Sequence, residues 1–477
     1  MKIASHGNFQ AGMVDDPSRE DKGGFEYAGG MDIFSEPGVL KANNAMTEVT
    51  YGASATPADV PRWMVDTTDA SNIRAYIVAG DKILESTDGT TWNLFLTNGQ
   101  GSNLGLGIWA GYVVYPSATK IGRTLVGNAA GKDDSYITTL DSDTEFHPIV
   151  PQGGTLKIGA GRYIASLDES FNFTARAMKL TTEYRVRCLA EYMTNLFMGT
   201  RIGAATGSVL NSDSSVFAWR GTVLSSGSAL PDTPFPMKLR GMNALISDGR
   251  RLHAFPDRQG DILIYDGAGF PEFRSMTFIK NQVGLTVQPG AVTQARDNSI
   301  LFSGEITSFP GIFQMKDGAI CQSFVPAGFT PGENAACTIG FVKTSFNGIV
   351  LVGYYKNSDG SYHIEKSTGN KQNNAQIRTL WHKERTDKPK RWYGVKLNLK
   401  PMAANTVVTV SYRTERDAAF TSVSQTITPS TQDKPILLPV QPRSREIQWK
   451  FVYTTSTTNT PELLSYENLF DPLNSAR

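Results

Sequence analysis

The chain has 477 residues, of which 40% are hydrophobic and 19% are charged. Its 46 Lys and Arg residues balance 45 Asp and Glu residues, and the resulting net charge of +1 excludes a global attraction to nucleic acid or to an anionic membrane. The length exceeds that of one compact core, which favours a large repeat-based domain and a smaller second domain. The 45 glycines are typical of many short strands joined by tight turns.

Neither a membrane span nor a signal peptide is predicted. No apolar run approaches the roughly 20 residues needed to cross a bilayer, and residues 1–6 lack the apolar core of a signal peptide. We therefore expect synthesis in the cytoplasm and no membrane partner.

Residues 1–50 are predicted to form an extended N-terminal arm. This segment is rich in Gly, Asp and Pro, and its aromatic residues occur at intervals, at Phe9, Phe25, Tyr27 and Phe34. Such spacing is typical of a segment that is anchored by side chains rather than by regular structure.

Residues 51–377 are predicted to form a β-propeller. In the first repeat unit, the turns Gly80-Asp81-Lys82 and Thr87-Asp88-Gly89 separate three strand-length segments, as in a meander. Similar units recur at an average spacing of about 45 residues, the length of a four-stranded blade, and indicate roughly seven blades. The later units begin near Trp109, Leu156, Asn195, Ala244, Ser299 and Gly348.

From residue 378 onward the pattern changes. A charged stretch precedes segments with period-two alternation, and we expect residues 378–462 to form a small C-terminal β-sandwich and 463–477 a tail without regular structure. The fold class is therefore all-β, a propeller followed by a sandwich.

The charged stretch allows two interpretations. Its cations, with tryptophans between them, could contact DNA phosphates. Alternatively, it could be a solvated strap between domains or a contact with acidic neighbours, and we favour this second interpretation. The residues concerned are Lys383, Arg385, Lys388, Lys390 and Arg391, with Trp381 and Trp392.

The segment Ser86–Trp92 resembles the Asp-box of sialidase-like propellers but is one residue shorter. In that family the box is a turn device, whose Asp caps backbone amides and whose Trp packs between blades. The resemblance therefore implies a structural role for Asp88 and Trp92 and none in catalysis.

No catalytic, cofactor-binding or metal-binding residue is predicted. The acidic pairs lie in turn-forming contexts, and the five histidines and three cysteines have no metal-ligand spacing. We interpret the cysteines as reduced thiols packed as small hydrophobic groups. The acidic groups considered are Asp15 with Asp16, Asp133 with Asp134, Asp141 with Asp143, and the turns at Asp168 and Asp359; the others are His6, His147, His253, His363, His382, Cys188, Cys321 and Cys337.

Two segments near the N-terminus, Phe9–Ser18 and Gly23–Leu40, are similar to the start of many tailed-bacteriophage structural proteins. The predicted order of propeller and sandwich resembles the nozzle or hub proteins of phage tails. The resemblance implies a non-enzymatic virion protein, in the nozzle, hub or tail tip, that is made in the host cytoplasm. Its implied partners are copies of itself in a ring and other tail, adaptor or portal-proximal proteins, with passive contact to DNA in a channel.

Two other functions remain open. A propeller of this kind could be a receptor- or carbohydrate-binding protein that uses exposed aromatic loop residues. A glycoside hydrolase would need two carboxylates placed across a sugar, and arginines if the sugar is acidic; we favour it least.

Overall fold

The computed structural model is almost entirely β-structure. It describes residues 1–7, 9–14, 24–67, 73–143, 145–202, 213–220, 232–237, 239–256, 261–267, 272–276, 279–345, 348–384 and 388–473. The one helical element in these ranges is a π-helix at Ile279–Val283. In the described part of the chain, no helix is long and apolar enough to cross a membrane.

Strands are numbered in chain order. The N-terminal strands are β1 (Lys2–Gly7), β2 (Gly12–Met13), β3 (Gly24–Gly29), β4 (Met31–Asp32), β5 (Leu40–Ala42), β6 (Asn44–Glu48) and β7 (Thr50–Tyr51). The next are β8 (Pro61–Asp66), β9 (Ala75–Ala79), β10 (Lys82–Ser86), β11 (Thr91–Thr97), β12 (Gly107–Trp109), β13 (Tyr112–Pro116), β14 (Ile121–Leu125), β15 (Asn128–Ile137), β16 (Ile149–Gln152), β17 (Thr155–Ala160), β18 (Tyr163–Asp168) and β19 (Phe173–Lys179).

The central strands are β20 (Tyr184–Tyr192), β21 (Asn195–Ile202), β22 (Asp213–Trp219), β23 (Asp232–Met237), β24 (Leu239–Arg240), β25 (Met242–Ser247), β26 (Leu252–Pro256), β27 (Asp261–Tyr265), β28 (Glu272–Ser275), β29 (Thr286–Gln294), β30 (Ile300–Ile306), β31 (Ile312–Lys316), β32 (Ala319–Phe324), β33 (Cys337–Thr344), β34 (Val350–Lys356) and β35 (Ser361–Lys371). The C-terminal strands are β36 (Ala375–Thr379), β37 (Lys390–Leu399), β38 (Val407–Thr414), β39 (Thr421–Ile427), β40 (Ile436–Leu437), β41 (Arg443–Ser444), β42 (Ile447–Thr454) and β43 (Glu462–Pro472).

The chain divides into two compact units. Unit 1 contains residues 1–47, 309–334 and 367–477, and unit 2 contains residues 48–308 and 335–366. The division differs from the boundaries expected from the sequence, because unit 1 is assembled from three separate segments.

The described strands of unit 2 form six successive sheets, built largely of antiparallel neighbours. The first strand of each sheet contacts the first strand of the next, from β8 through β12, β16, β20 and β25 to β29. Strands β29 and β33 in turn contact β8, which closes the series into a ring. Sheets that follow one another around a ring are the arrangement of a β-propeller, so the propeller-like all-β fold is confirmed.

Each hydrophobic core of this ring lies between two neighbouring sheets. Val114 of the second sheet packs in one cluster with Ile158 of the third, and Ile164 of the third packs in another with Met198 of the fourth. A single sheet cannot bury both of its faces, and this face-to-face packing buries them.

The structure has six sheets in the described part of unit 2, whereas the sequence indicated roughly seven blades. The units that begin near Ser299 and Gly348 contribute β30 and β34, and both strands belong to the sixth sheet. The intervening residues 309–334 belong to unit 1. An insertion therefore separates strands of one sheet and makes them look like two repeats.

Unit 1 consists of two sheets that share one core. The first sheet has the order β4-β5-β43-β37-β40, with β1 beside β43 and β41 beside β37; the second contains β39-β38-β42-β36-β3-β32-β31. Trp392 and Phe470 from the first sheet and Ile377, Val410 and Trp449 from the second are buried in the same cluster.

Residues 1–47 of the expected N-terminal arm and the expected C-terminal tail both belong to unit 1. Strand β1 pairs with β43 over six residues, from Lys2 opposite Phe470 to Gly7 opposite Ser465. Phe9 and Phe25 are buried in the core. The tail was missed because the fully buried Asn468 interrupts the apolar alternation of β43.

The described residues of the stretch 378–391, which was expected to be an exposed linker, also belong to unit 1. His382 and Lys390 are fully buried, and His382 forms a β-bridge with Ile447. Lys390 begins β37, a strand beside β43 in the first sheet. The density of charged residues at 378–391 therefore does not mark a domain boundary, although it was the reason for predicting one there.

Candidate functional site

A cavity of about 420 Å³ opens in unit 2. Its lining comes from several sheets of the ring, including Arg62 on β8, Arg187 on β20, Arg201 on β21 and Gln288 on β29, with Glu145 from the segment before β16. A ring brings its first strands together, so residues that are distant in sequence meet here.

Glu145 holds two of the arginines. Its Oε1 accepts a hydrogen bond from Arg201 Nη2 at 2.5 Å, and its Oε2 accepts one from Arg187 Nη1. The Arg187 guanidinium also lies 4.3 Å from the centre of the Phe146 ring, which packs edge to face against Trp63. These contacts fix both arginines and balance much of their charge.

The remaining charged groups leave the cavity able to bind a polar ligand. Arg62 lies 5.7 Å from the Phe146 ring centre and forms no ion pair with any described residue. Gln288 is buried, Asp59 is half-buried and Glu305 is exposed, and all three line the cavity. A cation, an amide and two carboxylates lining one cavity can hydrogen-bond both to an anion and to hydroxyl groups.

None of these cavity residues was predicted from the sequence to be functional. They lie on different sheets and have no shared local motif, so only the ring topology brings them together. The one sequence signal nearby is the Asp141 and Asp143 pair, which precedes Glu145 in the same connection.

The Asp-box residues form a turn. Asp88 Oδ1 accepts hydrogen bonds from the backbone amides of Thr90 at 2.6 Å and Thr91 at 2.8 Å, and Trp92 is fully buried. Burial raises the pKa of Asp88, but these amides and the Ser86 hydroxyl outweigh it, so the pKa lies below its ordinary value. This geometry is that of a turn device.

The acidic pairs hold turns and ion pairs within unit 2. Asp134 accepts from Lys132 Nζ at 2.8 Å and from the Tyr115 hydroxyl at 2.9 Å. Asp141 binds both Arg176 nitrogens, at 2.8 and 3.0 Å. Four other acidic residues considered above form local turns, in which a carboxylate oxygen accepts a hydrogen bond from a backbone amide two to four residues further on. They are Asp133, Asp143, Asp168 and Asp359. Asp15 and Asp16 lie outside the described residues.

The basic stretch does not present an open row of cations in its described part. Lys383 pairs with Glu446 at 3.1 Å. The Nζ of the buried Lys390 donates to the backbone carbonyls of Arg445 and Lys388, at 2.9 and 3.1 Å. Trp392 is in the core, and Arg385 lies outside the described residues.

The three cysteines are free and buried, which confirms their interpretation as small hydrophobic groups. Burial raises the pKa of the Cys337 thiol to about 12. Three histidines lie apart in unit 2: His147 bonds the Gly159 carbonyl, His253 bonds Asp248, and His363 bonds Glu48. The other two, His6 and His382, meet in unit 1, which their sequence spacing did not indicate.

The chain is similar to known proteins only at the level of solved structures. No family model and no curated protein matches the chain. Among solved structures, the extracellular domain of a one-component system from B. thetaiotaomicron is 12% identical with a TM-score of 0.47, and the match covers 74% of this chain and 44% of that one. A catalytically inactive virginiamycin B lyase from Staphylococcus aureus is 13% identical with a TM-score of 0.47, covering 68% and 98%.

The WD40 repeats of RRP9 are similar to a comparable degree, at 11% identity and a TM-score of 0.46, with 69% of this chain and 99% of that chain covered. The chain therefore spans less than half of the first of these structures. Since every one of these TM-scores is below 0.5, none of the likenesses decides what the cavity binds.

Proposed function

We propose that the chain is a non-enzymatic structural protein of a tailed-bacteriophage virion, a nozzle, hub or tail-tip component that forms or joins a ring. Its partners would be copies of itself and other tail, adaptor or portal-proximal proteins, with passive contact to DNA in a channel. We further propose that the two sheets of unit 1 are a β-sandwich. The similarity of residues 9–40 to phage structural proteins supports this function, and one surface of unit 1 carries the structural argument.

That surface is the outer face of the first sheet of unit 1. Phe470 of β43 points into the core, so its neighbour Leu469 points to the opposite face. The strand register places Ile3 of β1, Leu469, Gly394 of β37 and Leu437 of β40 in one row across four strands. Residues paired in this way lie on the same face of a sheet.

The row is apolar; its two end residues, Ile3 and Leu437, are exposed, whereas Leu469 and Gly394 between them are buried. Ile3 is 60% exposed and Leu437 is 53% exposed. Of the seven exposed large hydrophobic residues in the described chain, five lie in unit 1, although it is the smaller unit. Exposed apolar residues concentrated on one unit point to a protein interaction site there.

An open strand edge adjoins this row. Among the described strands, β1 pairs with β43 alone, so its second edge has no neighbour. Unpaired strand edges can accept a strand from another chain. An apolar row beside an open edge is a surface suited to a neighbouring subunit.

Substitution on this face tests the proposal. We expect Leu437→Lys to prevent formation of the ring, because a charge buried in an apolar contact leaves an unpaired cation. Leu125→Lys is the matched control, since Leu125 is 44% exposed on β14 of unit 2. Light scattering and negative-stain microscopy should show rings for the wild type and the control only. Equal assembly of all three proteins would contradict the proposed surface.

A second candidate function is binding of an acidic carbohydrate in the cavity of unit 2. The position of Arg62 in the lining of this cavity favours it. Its guanidinium lines the cavity without an ion-pair partner among the described residues, and arginine binds carboxylates through two parallel hydrogen bonds. Gln288 and Glu305 would bind sugar hydroxyls.

Calorimetric titration with sialyllactose and with lactose separates the carboxylate from the rest of the sugar. We expect binding of sialyllactose only, weakened at least tenfold by Arg62→Ala. Arg176→Ala, which removes an exposed arginine outside this cavity, should leave the affinity unchanged. Absence of binding to every carboxylated sugar on a glycan array would contradict this function.

A further inference from the structure

We infer that His6, His382 and Glu384 in unit 1 form a binding site for a divalent transition metal ion, with Zn²⁺ as the best match. This site is independent of the proposed virion function. The three side chains can each offer one ligand atom, and these atoms lie within 4.8 Å of one another.

Two remote parts of the chain supply the site. His6 lies on β1 and is paired with Tyr466 of β43, so it faces the core side of the first sheet of unit 1, as Tyr466 does. His382 is held by backbone hydrogen bonds to Ile447, and Glu384 follows two residues later. The site therefore forms only when the first strand is in place, and no spacing of ligand residues along the chain indicates it.

The donor set fits zinc. Two imidazoles and one carboxylate are a known zinc ligand combination, with bond lengths of about 2.0–2.2 Å that place ligand atoms roughly 3.3–3.6 Å apart. His6 Nε2 and Glu384 Oε1 are 3.1 Å apart, and the His6 and His382 ring centres are 4.6 Å apart. Binding of one ion would require the three ligand atoms, which lie within 4.8 Å of one another, to adopt that spacing.

The groups around the site can hold its ligands in position. Asn468 Nδ2 donates to Glu384 Oε1, and Trp449 Nε1 donates to Asn468 Oδ1 at 2.8 Å. The Tyr466 hydroxyl lies 3.2 Å from His382 Nε2. Such outer hydrogen bonds orient metal ligands and raise affinity.

The ligands are largely enclosed but reachable. The His6 side chain is 11% exposed, that of Glu384 is 6% exposed, and His382 is fully buried. Three protein ligands leave a fourth position for water in a tetrahedral site. A bound ion would tie β1 to the segment 382–384 and so stabilise unit 1.

The test uses the untagged full-length chain, stripped with a chelator and titrated with Zn²⁺ against a chromogenic competitor. We expect one ion per chain with a dissociation constant of micromolar or below, and a higher melting temperature with zinc. Co²⁺ in place of Zn²⁺ should give the intense visible absorption of a tetrahedral site. No stoichiometric binding and no such spectrum in the wild type would overturn the inference.

Variants locate the ion. His6→Gln and Glu384→Gln should each weaken zinc binding at least tenfold and remove the cobalt spectrum. His363→Gln is the matched control, since His363 also bonds a glutamate, Glu48 at 3.0 Å, in unit 2. Unchanged binding in His6→Gln, or equal loss in His363→Gln, would place the metal elsewhere and refute the site.

Discussion

Lys157 on β17 is the most unusual buried charge in the ring. Its side chain is almost fully buried, and its Nζ donates to the Ser166 hydroxyl at 3.1 Å and lies 4.8 Å from the Trp219 ring centre. Burial lowers the pKa of Lys157 to about 8, because an apolar environment disfavours the ammonium ion. The folded state therefore binds this proton less tightly than the unfolded state does.

The low pKa of Lys157 predicts a pH-dependent stability. Well above pH 10.5 the amine is neutral in both states, and the cost of burying its charge is absent. As the pH falls towards 8 the unfolded state takes up the proton first, and stability falls. Below pH 8 the loss is complete. We expect Lys157→Met to be more stable than the wild type at pH 7 by on the order of 2 kcal/mol and to lose most of that advantage at pH 10.5.

Urea unfolding followed by tryptophan fluorescence at both pH values measures this difference. Lys179→Met, which replaces an exposed lysine on β19 of the same sheet, serves as the control and should show no such change. A Lys157→Met advantage that is equal at pH 7 and pH 10.5 would show that packing, rather than the buried charge, sets the effect.

The propeller seam, where β8 meets β29 and β33, closes the ring of unit 2. Two glycines allow this close approach. A Cβ atom on Gly290 of β29 would lie 1.8 Å from the Arg62 carbonyl oxygen, and one on Gly340 of β33 would lie 2.2 Å from that of Pro61. Strand β8 therefore approaches the last sheet too closely for any side chain. Both positions look like ordinary strand residues in the sequence.

We expect Gly340→Val to destabilise the protein by about 2 kcal/mol or more, because β8 and β33 must separate to admit the side chain. Gly131→Val on β15 is the control, since no atom lies within 4 Å of a Cβ built there, and its effect should stay within about 0.5 kcal/mol. Thermal unfolding measures both. Equal stability of the Gly340→Val and Gly131→Val variants would show that β8 and β33 are not packed as closely as these distances indicate.

Local elements were predictable where one signal dominated. The turn at Asp88 and the meander around it follow from Asp-Gly chemistry and apolar alternation, and the structure has both. Strand β43 was not predictable, because its buried Asn468 is satisfied by Trp449, a partner that sequence alone does not reveal. Because of such buried polar pairs, a core strand can have the sequence pattern of a polar tail.

At the scale of the whole molecule, sequence order misled because the units are not contiguous. The segment 309–334 lies within the predicted propeller region, 51–377, but belongs to unit 1. Residues 1–47, at the other end of the sequence from most of unit 1, belong to it too. Contacts between segments hundreds of residues apart, such as the Tyr27 hydroxyl donating to Gln322 at 2.6 Å, leave no local pattern. The cavity and the histidine cluster depend on such contacts, which is why neither was predicted.

The proposed place of the chain in a virion is the central claim, and composition of the particles tests it most directly. Mass spectrometry of purified phage particles, with immunogold labelling of the chain, should find it in a fixed ratio to tail proteins and label one end of the tail. Recovery of the chain only in the soluble fraction of the lysate, with none in the particles, would contradict the virion function.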